Sequence, residues 1–232
     1  MGNLSAAFIS DLVRPSLWRD AAVGSLLVGA LAGTLYTLAY FESGPSSPGT
    51  EAVLLKSALS LVLTGSALLG SFAFTSAFRT GSLHLRVLLF QRIPAFAARA
   101  GSTMVAASAL GVATAELCAA LGALVSGTTG IHAPGVFAAT GCMGAAWGYS
   151  IGSVVRNHQV SLFLVPLTLV LPGLAAQLMQ EAGQFVFPLA AADWADRAIL
   201  SQPASWSLLT SLGWLATVGA VALGVFTKRD LA

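Results

Sequence analysis

Long apolar runs separated by short polar breaks occupy almost the whole chain. A helix needs roughly 20 apolar residues to cross about 30 Å of hydrocarbon, where no water is present to satisfy backbone N–H and C=O groups. Six runs reach that length, at 21–41, 57–78, 100–125, 134–155, 160–178 and 206–226. They predict an all-α, polytopic membrane protein in which residues 1–232 form a single transmembrane domain. Before the first run, Leu4, Phe8 and Leu12 recur every four residues beside Ile9 and Val13, with Asn3, Ser10, Asp11 and Arg14 between them. That spacing makes 1–19 either a short amphipathic helix lying in the membrane interface or a frayed apolar terminus. Pro15 ends or bends such a helix, and Trp18 with Arg19 marks the interface. Residues 43–50, SGPSSPGT, read as a short flexible connection. The segment 181–203 is too apolar for an ordinary loop and predicts short helices re-entering the outer leaflet. Pro166 and Pro172 kink the fifth run and free backbone carbonyls, as in helices that hinge or line a cavity.

Composition strengthens this picture: 56% of residues are hydrophobic and 9% charged, against about 25% charged in soluble domains. Arg14, Arg19, Arg79, Arg86, Arg92, Arg99, Arg156, Lys228 and Arg229 fall on one side of the six runs, and only Lys56 and Arg197 on the other. Basic residues near span ends are retained in the cytoplasm, so both termini are expected there. The opening MGNLSAAF lacks a basic n-region and its first long run is of full spanning length, so no secretory leader is expected. Cys118 and Cys142 fall inside apolar runs and read as small buried hydrophobes rather than a disulfide framework. The preference for Arg over Lys and the abundance of Ala and Gly point to a GC-rich bacterial genome, hence to a bacterial cytoplasmic membrane.

The one long basic stretch is 78–99, FRTGSLHLRVLLFQRIPAFAAR. Gly81 permits a turn, Ser82 reads as an N-cap, and a helix from Leu83 to about Arg92 would stop at Pro94. At 1.5 Å per residue it is about 15 Å long, too short to span, and lies across the membrane surface. Leu85, Leu88, Leu89 and Phe90 are anchors for a cytoplasmic protein; alternatively, the arginines only obey the topology rule and meet lipid phosphates. Deep in the third run, Glu116 is either a neutral polar contact between helices or part of a transport path. Gly29 and Gly33, and Gly144, Gly148 and Gly152, recur every four residues and predict close helix packing. Gly148-Tyr-Ser150-Ile-Gly152 is a formal GxSxG, but it sits within an apolar helix, and His84, His132 and His158 lie outside the spans, so a nucleophile elbow is not expected. A phosphate-binding loop needs GxxxxGK followed by Ser or Thr; Lys56 and Lys228 follow Leu55 and Thr227, so these 232 residues contain none.

The order of two runs, then Thr75-Ser-Ala-Phe-Arg-Thr-Gly-Ser82, a Leu- and Arg-rich segment, Arg92-Ile-Pro94 and Ala98-Arg99, resembles the membrane subunits of the type-2 ATP-binding-cassette exporter family. The amphipathic start, the Gly-rich fourth run ending Val154-Val155-Arg156-Asn157, and the closing Phe226-Thr-Lys-Arg-Asp230-Leu are similar too. Ala77 stands where that family usually has Glu, and Arg99 where it often has Lys. The resemblance implies that Arg79, Gly81, Ser82, Arg86, Leu88, Leu89, Arg92, Pro94 and Arg99 couple to a separate ATPase subunit, in two copies, which binds ATP and Mg. It implies a second permease subunit, identical or related, and export by alternating access; separately, an apolar pathway with almost no fixed charge suits a hydrophobic or amphipathic cargo. Glu116, Pro166 and Pro172 are the candidate pathway residues. No metal, cofactor or nucleic acid is expected in this chain, and membrane lipids are expected around it. The competing readings are a carrier not coupled to ATP or a membrane assembly factor, with an intramembrane serine protease more remote.

Overall fold

A computed structural model describes residues 2–43, 48–126, 133–178, 185–203 and 205–228, and among these every regular element is a helix. They are α1 (Gly2–Leu12), α2 (Pro15–Ser43), α3 (Pro48–Arg79), α4 (Ser82–Phe90), α5 (Arg92–Ser126), α6 (Pro134–Val155), α7 (His158–Leu178), α8 (Phe187–Ile199) and α9 (Ser205–Lys228). Three stretches among the described residues are long and apolar enough to cross a membrane: Leu55–Arg79, Arg92–Leu121 and Trp206–Lys228. A shorter apolar helix runs over His158–Leu174. α6 covers 134–155, but its composition is dominated by Gly, Ala, Ser and Thr, which suits packing against protein more than contact with lipid.

α6 is the centre of the bundle, packed on α3 and α5 and touched by α7, α8 and α9. Its glycines explain the closeness of the α3 contact. A Cβ at Gly144 would lie 2.4 Å from the Leu63 carbonyl oxygen, and one at Gly148 would lie 1.7 Å from that of Ala67; at Gly152 it would meet Ser71. From the other side, Gly70 admits the Ala145 carbonyl, while Gly111 and Gly141 bring α5 and α6 together in the same way. Gly29 and Gly33 face the side chains of Leu117 and Leu121, seating α2 on α5.

At one end of the bundle Phe74, Phe96, Tyr149 and Phe226 form a fully or almost fully buried aromatic group. Tyr149 donates its hydroxyl hydrogen to the Phe96 carbonyl at 3.2 Å, so its polar tip is satisfied without water. At the other end α8 buries Phe187, Ala190, Ala191 and Ala195, and Lys56 pairs with Asp196 at 2.8 Å, tying α3 to α8. The apolar segment expected to re-enter over 181–203 is therefore, where described, one amphipathic helix packed on α3, α6, α7 and α9; 181–184 lie outside the described residues. Of the expected loop 43–50, Ser43 and 48–50 are helical and 44–47 lie outside the described residues.

Three local expectations need correction. Pro94 does not stop α4: the helix ends at Phe90, Gln91 takes φ 69°, and Pro94 sits in the first turn of α5. A proline is tolerated there because first-turn N–H groups have no partner within the helix. Ser82 does not cap α4; Gly81 at φ 69° holds the N-cap position, where a residue without Cβ adopts the left-handed conformation at no cost. Ser82 instead donates to the Ala77 carbonyl at 3.3 Å. Asp11, read as part of a polar face on α1, is wholly buried, whereas Leu4, Ile9 and Val13 are exposed.

Candidate coupling site

Asp11 is buried because two cations come to it. Arg86 of α4 donates from Nη1 to Oδ2, and Arg99 of α5 donates from Nη1 to Oδ1 at 3.0 Å. The remaining edge of the Arg99 guanidinium holds the Ala73 carbonyl of α3, from Nη2 at 2.9 Å and Nε at 3.3 Å. Desolvating a carboxylate costs several kcal/mol, on the order of that for each ion of a buried pair, so its place depends on charge-assisted hydrogen bonds. Four helices thereby meet at one acid. Arg92 makes a further tie, donating from Nη1 to the Thr227 carbonyl at 2.7 Å and so linking the start of α5 to the end of α9.

This sorts the basic residues of 79–99 into two kinds. Arg86 and Arg99 point into the protein and Arg92 is half-buried, whereas Arg79 is exposed. α4 consequently turns its arginine inward and its leucines outward. Leu83 is buried and Val87 and Phe90 are half-buried on the inner face, while Leu85, Leu88 and Leu89 are 63%, 71% and 73% exposed. Ile93 extends the outward apolar patch past the Gln91 break.

Arg14, at the α1–α2 junction, adds a third guanidinium. Burial first, then the Arg99 and Arg86 cations, lower it from its ordinary value, while Asp11 acts in the opposite direction. Asp11 is the residue that the apolar periodicity of α1 concealed. Its signal was being the one acid of α1, three and four residues after Phe8 and Ala7, which also face the protein. Ala77 is buried against Phe74 and Leu83 and brings no carboxylate to the segment, so the acid that reaches α4 comes from α1.

The candidate pathway residues are not brought together. Glu116 is exposed on α5, which packs on α1, α2, α3 and α6; Pro166 and Pro172 are half-buried on α7, which packs on α3, α6 and α8. The prolines deprive the Leu162 and Thr168 carbonyls of their usual helical donors. Ser150, of the GxSxG string, is buried in α6 and donates to the Ala146 carbonyl at 2.8 Å. Among the described residues, no group of three or more His, Cys, Asp or Glu side chains is placed to hold a metal. Compared with known proteins, the chain matches no protein-family model and no curated protein sequence.

Proposed function

We propose that this chain is the membrane subunit of an ATP-driven exporter of the type-2 ATP-binding-cassette kind, in a bacterial cytoplasmic membrane. In this reading α2, α3, α5, α6, α7 and α9 cross the bilayer, α1 lies along the inner interface, and α8 covers the outer end. The observation that carries it is α4: a nine-residue helix between two long apolar helices, held from behind by Arg86 and Asp11, with Leu85, Leu88 and Leu89 turned outward. A buried leucine contributes about 1.5–3 kcal/mol relative to an exposed one, so three adjacent leucines on a fixed helix are suited to seating a partner.

That partner is an ATPase subunit, two copies serving a pair of permease subunits, with ATP and Mg bound in the partner. Arg79, exposed at the end of α3, lies at the rim of the contact. Movement of α4 is transmitted through Asp11 to Arg99, and from there to α3 and α5 together. The nucleotide biases inward-open against outward-open states by its differential affinity for them. Apolar walls with few fixed charges suit a hydrophobic or amphipathic cargo: a drug, a lipid-like molecule or a peptide antibiotic.

The test is co-expression with the ATPase encoded beside it. The two are expected to co-purify, with ATP turnover that responds to apolar cargo, and the double variant Leu88→Glu/Leu89→Glu is expected to separate them. Cargo movement by the chain alone without ATP, or full association of the double variant, contradicts the proposal.

A further inference from the structure

A groove of about 740 Å³ runs between α2 and α3, and its chemistry changes from one end to the other. Near the start of α2 and the end of α3 it is lined by Arg14, Arg19 and Arg99, with the hydroxyls of Ser16, Ser76, Thr80 and Ser82. Farther along, its walls are Val23, Leu27, Leu31, Leu61 and Leu68. Val23, Leu27 and Leu31 are more than half exposed, an arrangement suited to hydrocarbon rather than water.

The charged end is short of anions. Among the described residues, Arg14, Arg19 and Arg99 line it against the single carboxylate of Asp20, and behind Arg99 the pair of Asp11 and Arg86 adds no net charge, which leaves two positive charges. Asp11 commits both oxygens to Arg86 and Arg99, and Asp20 is 3.5 Å from Arg19. The groove also has a matching length. From Arg19 to Leu31 α2 rises about 18 Å at 1.5 Å per residue, close to the roughly 15 Å half-thickness of hydrocarbon that one acyl chain fills.

We propose that this groove holds one anionic phospholipid of the inner leaflet, its phosphate at Arg14 and Arg19 among the four hydroxyls, and one acyl chain along Val23, Leu27 and Leu31. The bound phosphate neutralises the surplus around Asp11 and braces the α1–α2 junction against α3. The downward pull of burial and neighbouring cations on Arg14 is relieved by that anion. This inference rests on the reading that α2 and α3 cross the bilayer and requires nothing of an ATPase, so it is tested on the purified chain alone.

The full chain, stripped of lipid in a neutral detergent, is titrated with palmitoyl-oleoyl phosphatidylglycerol or phosphatidylcholine and read by native mass spectrometry. Each uncompensated cation near a membrane surface contributes about five-fold, so one phosphatidylglycerol is expected per chain, held roughly ten- to thirty-fold more tightly than phosphatidylcholine. Arg14→Gln weakens it about five-fold. Leu27→Trp, which fills the groove without altering charge, weakens both lipids. Arg79→Gln, outside the groove, leaves binding unchanged. Equal retention of the two lipids, or an equal loss with Arg79→Gln, overturns the site. Loss of phosphatidylglycerol from dimers while monomers keep it assigns the groove to a second copy, and displacement by an uncharged apolar drug assigns it to cargo; either result overturns the lipid.

Discussion

Arg99 reaches back 88 positions to Asp11, meeting it at 3.0 Å with both side chains buried, and with its other edge holds the Ala73 carbonyl. One guanidinium thus fastens α1, α3 and α5, and Asp11 extends the tie to Arg86 on α4. A segment that reads from its composition as a basic surface is in part an internal joint.

Removing Asp11 strands the buried Arg99 and the half-buried Arg86. Asp11→Ala is expected to cost about 3–5 kcal/mol, lowering the unfolding midpoint in detergent by about 10 °C. The triple variant Asp11→Leu/Arg86→Leu/Arg99→Met removes the charges together and is expected to regain most of that loss. A triple variant as unstable as the single one would show that the cluster does not act through charge pairing.

Charge reversals separate the joint from the surface. Arg86→Glu sets two carboxylates against each other and is expected to lower the midpoint as Asp11→Ala does. Arg79→Glu, on an exposed side chain, is expected to change stability by less than about 0.5 kcal/mol while weakening association with the proposed ATPase. Thermal unfolding and co-purification on the same two variants distinguish these effects.

The α3–α6 contact leaves no room for a methyl group. Gly148→Ala places Cβ 1.7 Å from a backbone oxygen that cannot rotate away, and is expected to cost about 3 kcal/mol. Gly219→Ala on α9, with nothing within 4 Å of its Cβ, is expected to gain up to about 1 kcal/mol in helix propensity. Opposite signs for the two substitutions are the outcome to look for in unfolding midpoints.

The aromatic group holds α9 at one end of the bundle. Phe226→Ala is expected to cost about 3–5 kcal/mol, because its ring sits 5.1 Å from Phe96 and 6.0 Å from Phe74 with no exposed surface. Tyr149→Phe keeps the ring and loses one buried hydrogen bond, which costs about 1 kcal/mol. Earlier proteolytic release of α9 in the first variant but not the second is the expected readout.

Run length and spacing locate the helical segments because both follow from local geometry. The run 134–155 coincides with α6, and the four-residue glycine spacing corresponds to its face on α3. What the residues do not display on their own is pairing across distance. Asp11 sits among polar positions in α1, and only the arrival of Arg86 and Arg99, 75 and 88 positions later, makes its burial tolerable. α5 begins at Arg92 rather than at 100, its two arginines each held by a distant partner, Arg92 by the Thr227 carbonyl and Arg99 by Asp11. The break at Gln91 rests on a positive φ, 69°, at a non-glycine residue, which no turn former announces.

The most direct measurement is photo-crosslinking from position 88 in living cells that make this chain together with the proposed ATPase partner. With a photoreactive residue in place of Leu88, a covalent adduct to the ATPase is expected, absent when the same residue replaces Leu26, an exposed position in α2. Adducts from position 88 only to proteins on the outer side of the cytoplasmic membrane, or none to the ATPase, would contradict it.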